Sequence, residues 1–439
     1  VTTSADLAPD RTSPERSRRA LVAGSVGNFI EWYEFGVYGF LATVIAANFF
    51  TPDGGGSLEA LVKTYVSFAL AFFFRPVGAA LFGRVGDRIG RRPTLVLVLL
   101  LMSGATTLIG LLPTYATVGV AAPVLLTLVR ILQGLSAGGE FGGAVSVMTE
   151  FAPPGRRGLF GAWQSFTVAL GLLGGAGVCA VLGGLLSTEQ LSAWGWRVPF
   201  LLALPLGLVA LWLRLRLEET PSFQRVAEET PAVEAAPLPA RRVAAAIALG
   251  IGRLMGWSAA GYTFLVVIPA YLQTSLGATF QQALVATVLA NVGFAATILP
   301  AGRLSDRVGR RPVMLAGTLA IVVLALPLLG VLQDEDGGLA GKGLAVLVAG
   351  AVVGLIAGPG PAMLSEMFPT TVRYTGLGLA YSLSNAVFSG SAGLIITALI
   401  AATGDVDIPA YYVMATCLVS AVALLTLRGD AHRRALADR

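Results

Sequence analysis

Twelve apolar stretches follow one another along this chain, each long enough to cross the roughly 30 Å hydrocarbon layer as a single helix. They fall near residues 20–48, 59–83, 93–113, 119–148, 158–186, 196–216, 243–274, 280–301, 312–332, 343–366, 374–402 and 410–427. Such a chain cannot hide its apolar surface in one water-soluble core. Of its 439 residues, 55% are hydrophobic and 13% charged, with a mean hydropathy of +0.76, so lipid is the solvent it is built for. No stretch alternates with the period of a barrel strand, and the expected fold class is an all-α polytopic membrane protein. The 54 glycines suit close packing of its helices.

An even number of spans puts both ends on one side, and basic residues identify that side as cytoplasmic. The amino tail (1–19), the loops at 84–92, 156–157, 214–242 and 303–311, Arg373 and the carboxyl tail (428–439) hold 24 of the 30 Lys and Arg. The basic balance therefore reflects topology, and nucleic acid is not an expected partner. The first span is too long for the apolar core of a signal peptide and meets no cleavage site, so it is expected to remain as an uncleaved anchor. A polar stretch rich in Glu, Pro and Ala, residues 218–242, is expected to link an N-terminal bundle of six helices (20–217) to a C-terminal one (243–427). Cys179 and Cys417 stand alone inside spans, where no metal site or disulfide is expected.

The chain also repeats itself. The loop from Gly83 to Pro93, GRVGDRIGRRP, returns from Gly302 to Pro312 as GRLSDRVGRRP, with eight of eleven residues identical at an offset of 219. Glu150 followed by Pro153 returns as Glu366 followed by Pro369, at an offset of 216. Parallel repeats joined by a linker imply two pseudo-symmetric halves that alternate access to a site between them near the bilayer midplane.

This loop resembles the signature between the second and third spans of the major facilitator superfamily. Within it, Gly27–Phe35 (GNFIEWYEF), Phe74-Arg75-Pro76, Gln133-Gly134 with Gly138-Gly139-Glu140, Trp194–Arg197 (WGWR) and Glu218–Pro221 (EETP) resemble the metabolite:proton symporter family. Glu34 stands where members commonly have Asp. The resemblance implies secondary uptake with protons and leaves the solute open among dicarboxylates, citrate, shikimate, aromatic acids, proline and betaine.

Ionisable groups at membrane depth are costly and are functional candidates by default. Asn28, Glu31 and Glu34 recur every three residues on one face of the first span. At about 1.5 Å per residue, Glu31 lies roughly 17 Å beyond residue 20, near mid-membrane. Two carboxyls one turn apart repel when both are ionised, so one of them is expected to hold a proton and to couple its movement. Glu140 is a further coupling candidate, its alternative being an ion pair that locks helices. The only histidine, His432, lies in the carboxyl tail, so carboxylates must carry any proton.

Arg75, Arg130 and Arg253 are the candidates for binding a solute carboxylate, because a buried guanidinium keeps its charge and offers a fork of two parallel hydrogen bonds. Arg75 and Arg130 belong to the first half and Arg253 to the second, which favours a diacid bridging the halves. Pairing with Glu31, Glu34 or Glu140 is the alternative use of these arginines. Gln133 and Tyr262 could add neutral hydrogen bonds, while Trp257 and Phe264 are expected to be core or lipid-facing. At the cytoplasmic ends, Asp87, Arg88, Arg91, Arg92 and Glu150, with Asp306, Arg307, Arg310, Arg311 and Glu366, are expected to form a gate that holds the halves together.

Gly134 to Gly138 reads G-x-S-x-G but lies mid-span without a histidine partner, so no enzyme is expected. Neither a nucleotide loop nor a metal cluster appears, and no cofactor is implied. The leading expectation is a proton symporter for a small carboxylate, a dicarboxylate such as 2-oxoglutarate, working as a monomer in a bacterial inner membrane. The alternatives are a zwitterion such as proline or betaine, an aromatic acid, an exporter, or a membrane sensor.

Overall fold

The computed structural model describes residues 14–51, 58–89, 91–150, 152–153, 155–215, 239–334, 336, 338–368 and 370–427. The start of the amino tail, most of the expected linker and the carboxyl tail with His432 lie outside the described residues. Every regular element among the described residues is helical.

Twelve segments account for the expected spans. They are α1 (Pro14–Phe40, continuing as Ala42–Phe50), α2 (Glu59–Phe82), α3 (Arg91–Leu111), α4 (Ala121–Ser146), α5 (Arg157–Leu185) and α6 (Thr188–Leu215). The second set is α7 (Arg241–Leu276), α8 (Phe280–Val308), α9 (Arg310–Gln333), α10 (Leu339–Ser365), α11 (Thr375–Thr403) and α12 (Ile408–Leu425). Ten of them pass as spans by length and hydropathy, α1 is a pair bent by 62° at Leu41, and α3 contributes the shorter apolar helix Val96–Leu111. Large apolar side chains such as Leu108, Leu128, Leu208, Val323 and Val422 are exposed, as lipid-facing positions must be.

Local sequence sets the helix starts. Ser187 with Gln190 opens α6, and Thr279 with Gln282 opens α8, each pair exchanging side-chain and backbone hydrogen bonds so that two otherwise unpaired N–H groups are satisfied.

The sequence repeat carries its packing with it. Gly134 of α4 lies so close to α2 that a Cβ there would overlap the Ala71 carbonyl, and Gly350 of α10 stands in the same relation to Ala290 of α8. These pairs are separated by the offsets of the repeat, 216 for the glycines and 219 for the alanines. Only glycine permits backbones to approach this closely. A π-helical turn recurs likewise, at Ala46–Phe50 at the end of α1 and Thr263–Val267 in α7. Across the molecule α5 runs along α8 and α2 along α11, and the candidate site lies among these helices.

Candidate functional site

Helical spacing brings one stripe of α7 and one of α11 to a shared cavity. Trp257, Gly261 and Leu265 lie four residues apart with Ser258, Tyr262 and Val266 beside them, and Tyr381, Asn385 and Ser389 are spaced likewise. Trp32 of α1, Ser165, Val168 and Leu172 of α5 and Phe294 of α8 complete the wall of this narrow cavity. Among the described residues no charged side chain lines it.

Aromatic faces dominate the wall. Trp32 and Tyr262 have ring centres 5.9 Å apart, Trp257 and Tyr381 6.1 Å, and Tyr381 is stacked on Phe141 of α4 at 3.3 Å. The polar groups are neutral. Asn385 Nδ2 donates one hydrogen to the Tyr381 carbonyl at 2.9 Å and keeps a second. Ser389 Oγ lies 3.0 Å from the Ser258 carbonyl and 2.9 Å from Asn385 Oδ1. The Tyr262 hydroxyl is buried with no hydrogen-bond partner among the described residues, a donor left over for a guest. Ring faces attract a cation, while the hydroxyl and amide groups can take a carboxylate without imposing net charge.

The helices meet on both sides of this cavity. On one side Ser165 Oγ donates to the Ala357 carbonyl at 2.8 Å, and on the other Thr43 Oγ1 donates to Gln273 Oε1 at 3.3 Å.

The buried charged side chains are not part of this lining, and each has at least one polar contact with another side chain. Arg75 Nη2 is 3.2 Å from Glu31 Oε1, and its guanidinium packs on Phe35 at 4.3 Å and Phe72 at 4.1 Å. Glu140 pairs with Arg214 of α6 directly against Gly27, where a Cβ would collide with both side chains. Glu34 is completely buried and has no ion pair among the described residues; its Oε2 accepts from Thr106 Oγ1 at 2.8 Å. Gln133 Nε2 donates to the same Thr106 oxygen at 2.5 Å, and Arg130 Nη1 donates to Gln133 Oε1 at 2.6 Å. Arg130 otherwise rests against the rings of Phe35, Tyr38 and Phe68, within 4.9 Å of each centre. Arg253 donates to Thr426 Oγ1 at 3.0 Å.

Of the candidate binding residues, Tyr262 therefore lines the cavity, and Arg75, Arg130, Gln133 and Arg253 do not. Glu31 and Glu34 turn to different partners, on α2 and α3. Trp257, expected in the core or facing lipid, is part of the wall, as are Trp32, Tyr381, Asn385 and Ser389, which the charge-based reading did not select. The four-residue spacing of Tyr381, Asn385 and Ser389 in an apolar span was the available signal.

Of the expected gate residues of the second half, Asp306, Arg310 and Glu366 come together. Asp306 Oδ1 and Oδ2 accept from the backbone N–H groups of Gly158 and Leu159 at 2.7 and 2.9 Å, at the N-terminus of α5, where unpaired donors and the helix dipole favour an anion. Arg310 Nη1 donates to Asp306 at 2.7 Å and Nη2 to Glu366 at 2.9 Å. Arg157 reaches Glu366 at 3.5 Å. The side chains of Asp87, Arg88, Arg91 and Glu150 lie outside the described residues.

Comparison with known proteins agrees with this architecture. A family described as "Sugar (and other) transporter" matches residues 20–237, and one described as "Major Facilitator Superfamily" matches residues 247–438. The "Proline/betaine transporter" of Salmonella typhimurium is 33% identical over 427 residues, which cover 95% of this chain and 84% of that protein. The "Inner membrane metabolite transport protein YhjE" of Escherichia coli is 34% identical over 449 residues, covering 98% of each. The fold is shared with the proton:xylose symporter XylE bound to 6-bromo-6-deoxy-D-glucose, at a TM-score of 0.77, 18% identity and coverage of 94% of this chain and 95% of that one. These are transporters and not enzymes. The chain is a multi-pass membrane transporter that belongs to the major facilitator superfamily, within its metabolite:proton symporter family.

Proposed function

We propose that this chain is a proton-coupled symporter that takes up a zwitterionic osmolyte of the proline or betaine type. The observation that carries the reading is the cavity: aromatic on Trp32, Trp257, Tyr262 and Tyr381, neutral in its polar groups, and without a charged side chain. A quaternary or secondary ammonium fits against ring faces, and the carboxylate of the same molecule fits Tyr262 Oη, Asn385 and the serines. A diacid would enter such a wall with two uncompensated charges, at a heavy desolvation cost. The names of relatives from Salmonella and Escherichia coli, proline/betaine transporters at 33% and 34% identity, support the zwitterion over the dicarboxylate. So does the "Ectoine/proline transporter ProP" of Corynebacterium glutamicum, at 34%.

In this reading the proton is carried by Glu34, since Glu31 and Glu140 are engaged by Arg75 and Arg214. The cluster of Asp306, Arg310, Glu366 and Arg157 is a gate that closes the side facing the cytoplasm. The two halves are residues 20–217 and 243–427, they rock about the cavity, and both termini lie in the cytoplasm of a bacterium whose inner membrane holds the protein as a monomer. The concentration of Lys and Arg at one set of loops supports that orientation.

The test is uptake of labelled betaine into proteoliposomes under an imposed inward proton gradient. Accumulation that a protonophore abolishes, and that unlabelled proline reduces while 2-oxoglutarate does not, is the expected result. Accumulation unaffected by the protonophore, or competition by the diacid alone, would refute the reading.

A further inference from the structure

Thr106 offers one hydroxyl proton and has two acceptors for it: Glu34 Oε2 at 2.8 Å and the Met102 carbonyl at 3.0 Å. The same oxygen accepts from Gln133 Nε2 at 2.5 Å. We propose that Thr106 is the positioning residue of proton coupling, a hydroxyl that turns between Glu34 and the Met102 carbonyl as Glu34 loses or gains its proton. The inference rests on the reading of Glu34 as the coupling carboxyl.

Counting donors and acceptors carries it. With Glu34 ionised, the Thr106 O–H donates to the carboxylate and its oxygen accepts from Gln133. When Glu34 takes a proton on Oε2, that new O–H donates to Thr106 Oγ1, whose own proton turns to the Met102 carbonyl. The oxygen then uses both lone pairs, one for Gln133 and one for Glu34. No bond to oxygen or nitrogen breaks except that of the transferred proton, and neither state leaves the hydroxyl or the amide unpaired. A buried polar group that cannot find a partner in both states would resist one of them.

The charged surroundings make Thr106 the junction between proton and solute. Glu31 and Tyr33 on its own helix, and Glu140 and Arg130 on α4, are the ionisable groups around Glu34. Arg75 and Arg214 answer Glu31 and Glu140, so Arg130 is the remaining cation, and its hydrogen-bonded path to Glu34 runs through Gln133 and Thr106. On its other side Arg130 packs on Phe68 at 4.9 Å, and Phe68 lies 6.1 Å from Tyr262, which lines the cavity. A change in the Glu34 charge therefore alters the hydrogen bonding of a cation that lies one ring away from the cavity wall, with one rotatable hydroxyl as the link.

The experiment compares Thr106→Val, which keeps the shape and removes the hydroxyl, with Thr106→Ser, which keeps the hydroxyl. Each is reconstituted after a thermal-stability check and read for gradient-driven betaine accumulation divided by its own gradient-free exchange, across pH. The expectation is at least a tenfold lower ratio and a displaced pH profile in Thr106→Val, with Thr106→Ser restoring both. A parental ratio and pH profile in Thr106→Val overturns the inference, as does equal loss in folded Thr106→Ser. Glu34→Gln, measured alongside, separates the two levels. If it abolishes the gradient-driven part while Thr106→Val does not, only the inference fails, whereas retention of proton-driven accumulation in Glu34→Gln removes the coupling reading and the inference with it.

Discussion

Glu31→Gln isolates the question of what the buried arginines are for. The substitution preserves volume and leaves the Arg75 guanidinium, 2% exposed, without its carboxylate. Three rings stay close, Phe72 at 4.1 Å, Phe35 at 4.3 Å and Trp32 at 5.8 Å, but ring faces supply no acceptor for its N–H groups. Removing one partner of a buried pair costs about 3–5 kcal/mol. If the entropy of unfolding scales with length at about 2.1 cal/mol/K per residue, 439 residues turn that cost into a fall of at least about 3 °C in the melting temperature. The reciprocal change, Arg75→Gln, should cost less, because a stranded carboxyl can take up a proton whereas a guanidinium keeps its charge. The assay is thermal unfolding of the purified protein in detergent, run as a cycle with the double variant, which should recover most of the loss. An unshifted melting temperature in both single variants, together with lost solute binding in Arg75→Gln, would refute this account and assign Arg75 to the solute.

Three further outcomes follow from the geometry. Asp306→Asn weakens two charge-assisted bonds to the Gly158 and Leu159 N–H groups, each worth about 1.5–3 kcal/mol, so a cysteine at Ser165 should react with a maleimide at least tenfold faster from the gate side; the native Cys179 and Cys417 are buried and give a low background. Gly134→Ala and Gly350→Ala should each lower stability by about 1–3 kcal/mol, read as a lower melting temperature, because the new methyl overlaps the carbonyl of Ala71 or Ala290; tolerance of both would contradict the close helix crossings. Trp257→Ala should weaken betaine binding by about 0.5–2 kcal/mol, roughly 2- to 30-fold by titration calorimetry, with Trp257→Phe in between.

How much of this was legible in the sequence depends on what each residue must satisfy. Hydrophobic stretches have to become helices in lipid, and α2, α4, α5, α7 and α9 to α12 follow the expected spans within about four residues, while α6 begins eight residues earlier and α8 runs seven residues further. The bend at Leu41 was not legible, because no proline marks it and Gly36 and Gly39 just before it do not stand out among 54 glycines. Asp306, Arg310 and Glu366 were readable as a cluster because the duplicated loop repeats an acidic residue that topology alone does not need. The intramembrane arginines drew attention for the right physical reason and still do not line the cavity. A charge in lipid must find a partner, but the sequence does not say whether that partner is a solute or another helix. Here Glu31 and Glu140 supply it for Arg75 and Arg214, and the cavity is left to Trp32, Trp257, Tyr381 and Asn385, residue types common in any helical core.

The most direct test of the central claim, that a neutral aromatic cavity holds a zwitterion, is the dissociation constant of betaine set against that of 2-oxoglutarate in the purified protein, by titration calorimetry. The account predicts saturable betaine binding that Trp257→Ala weakens, and no heat above dilution from the diacid at the same concentrations. Tight diacid binding that is insensitive to Trp257→Ala and lost in Arg130→Gln would contradict it.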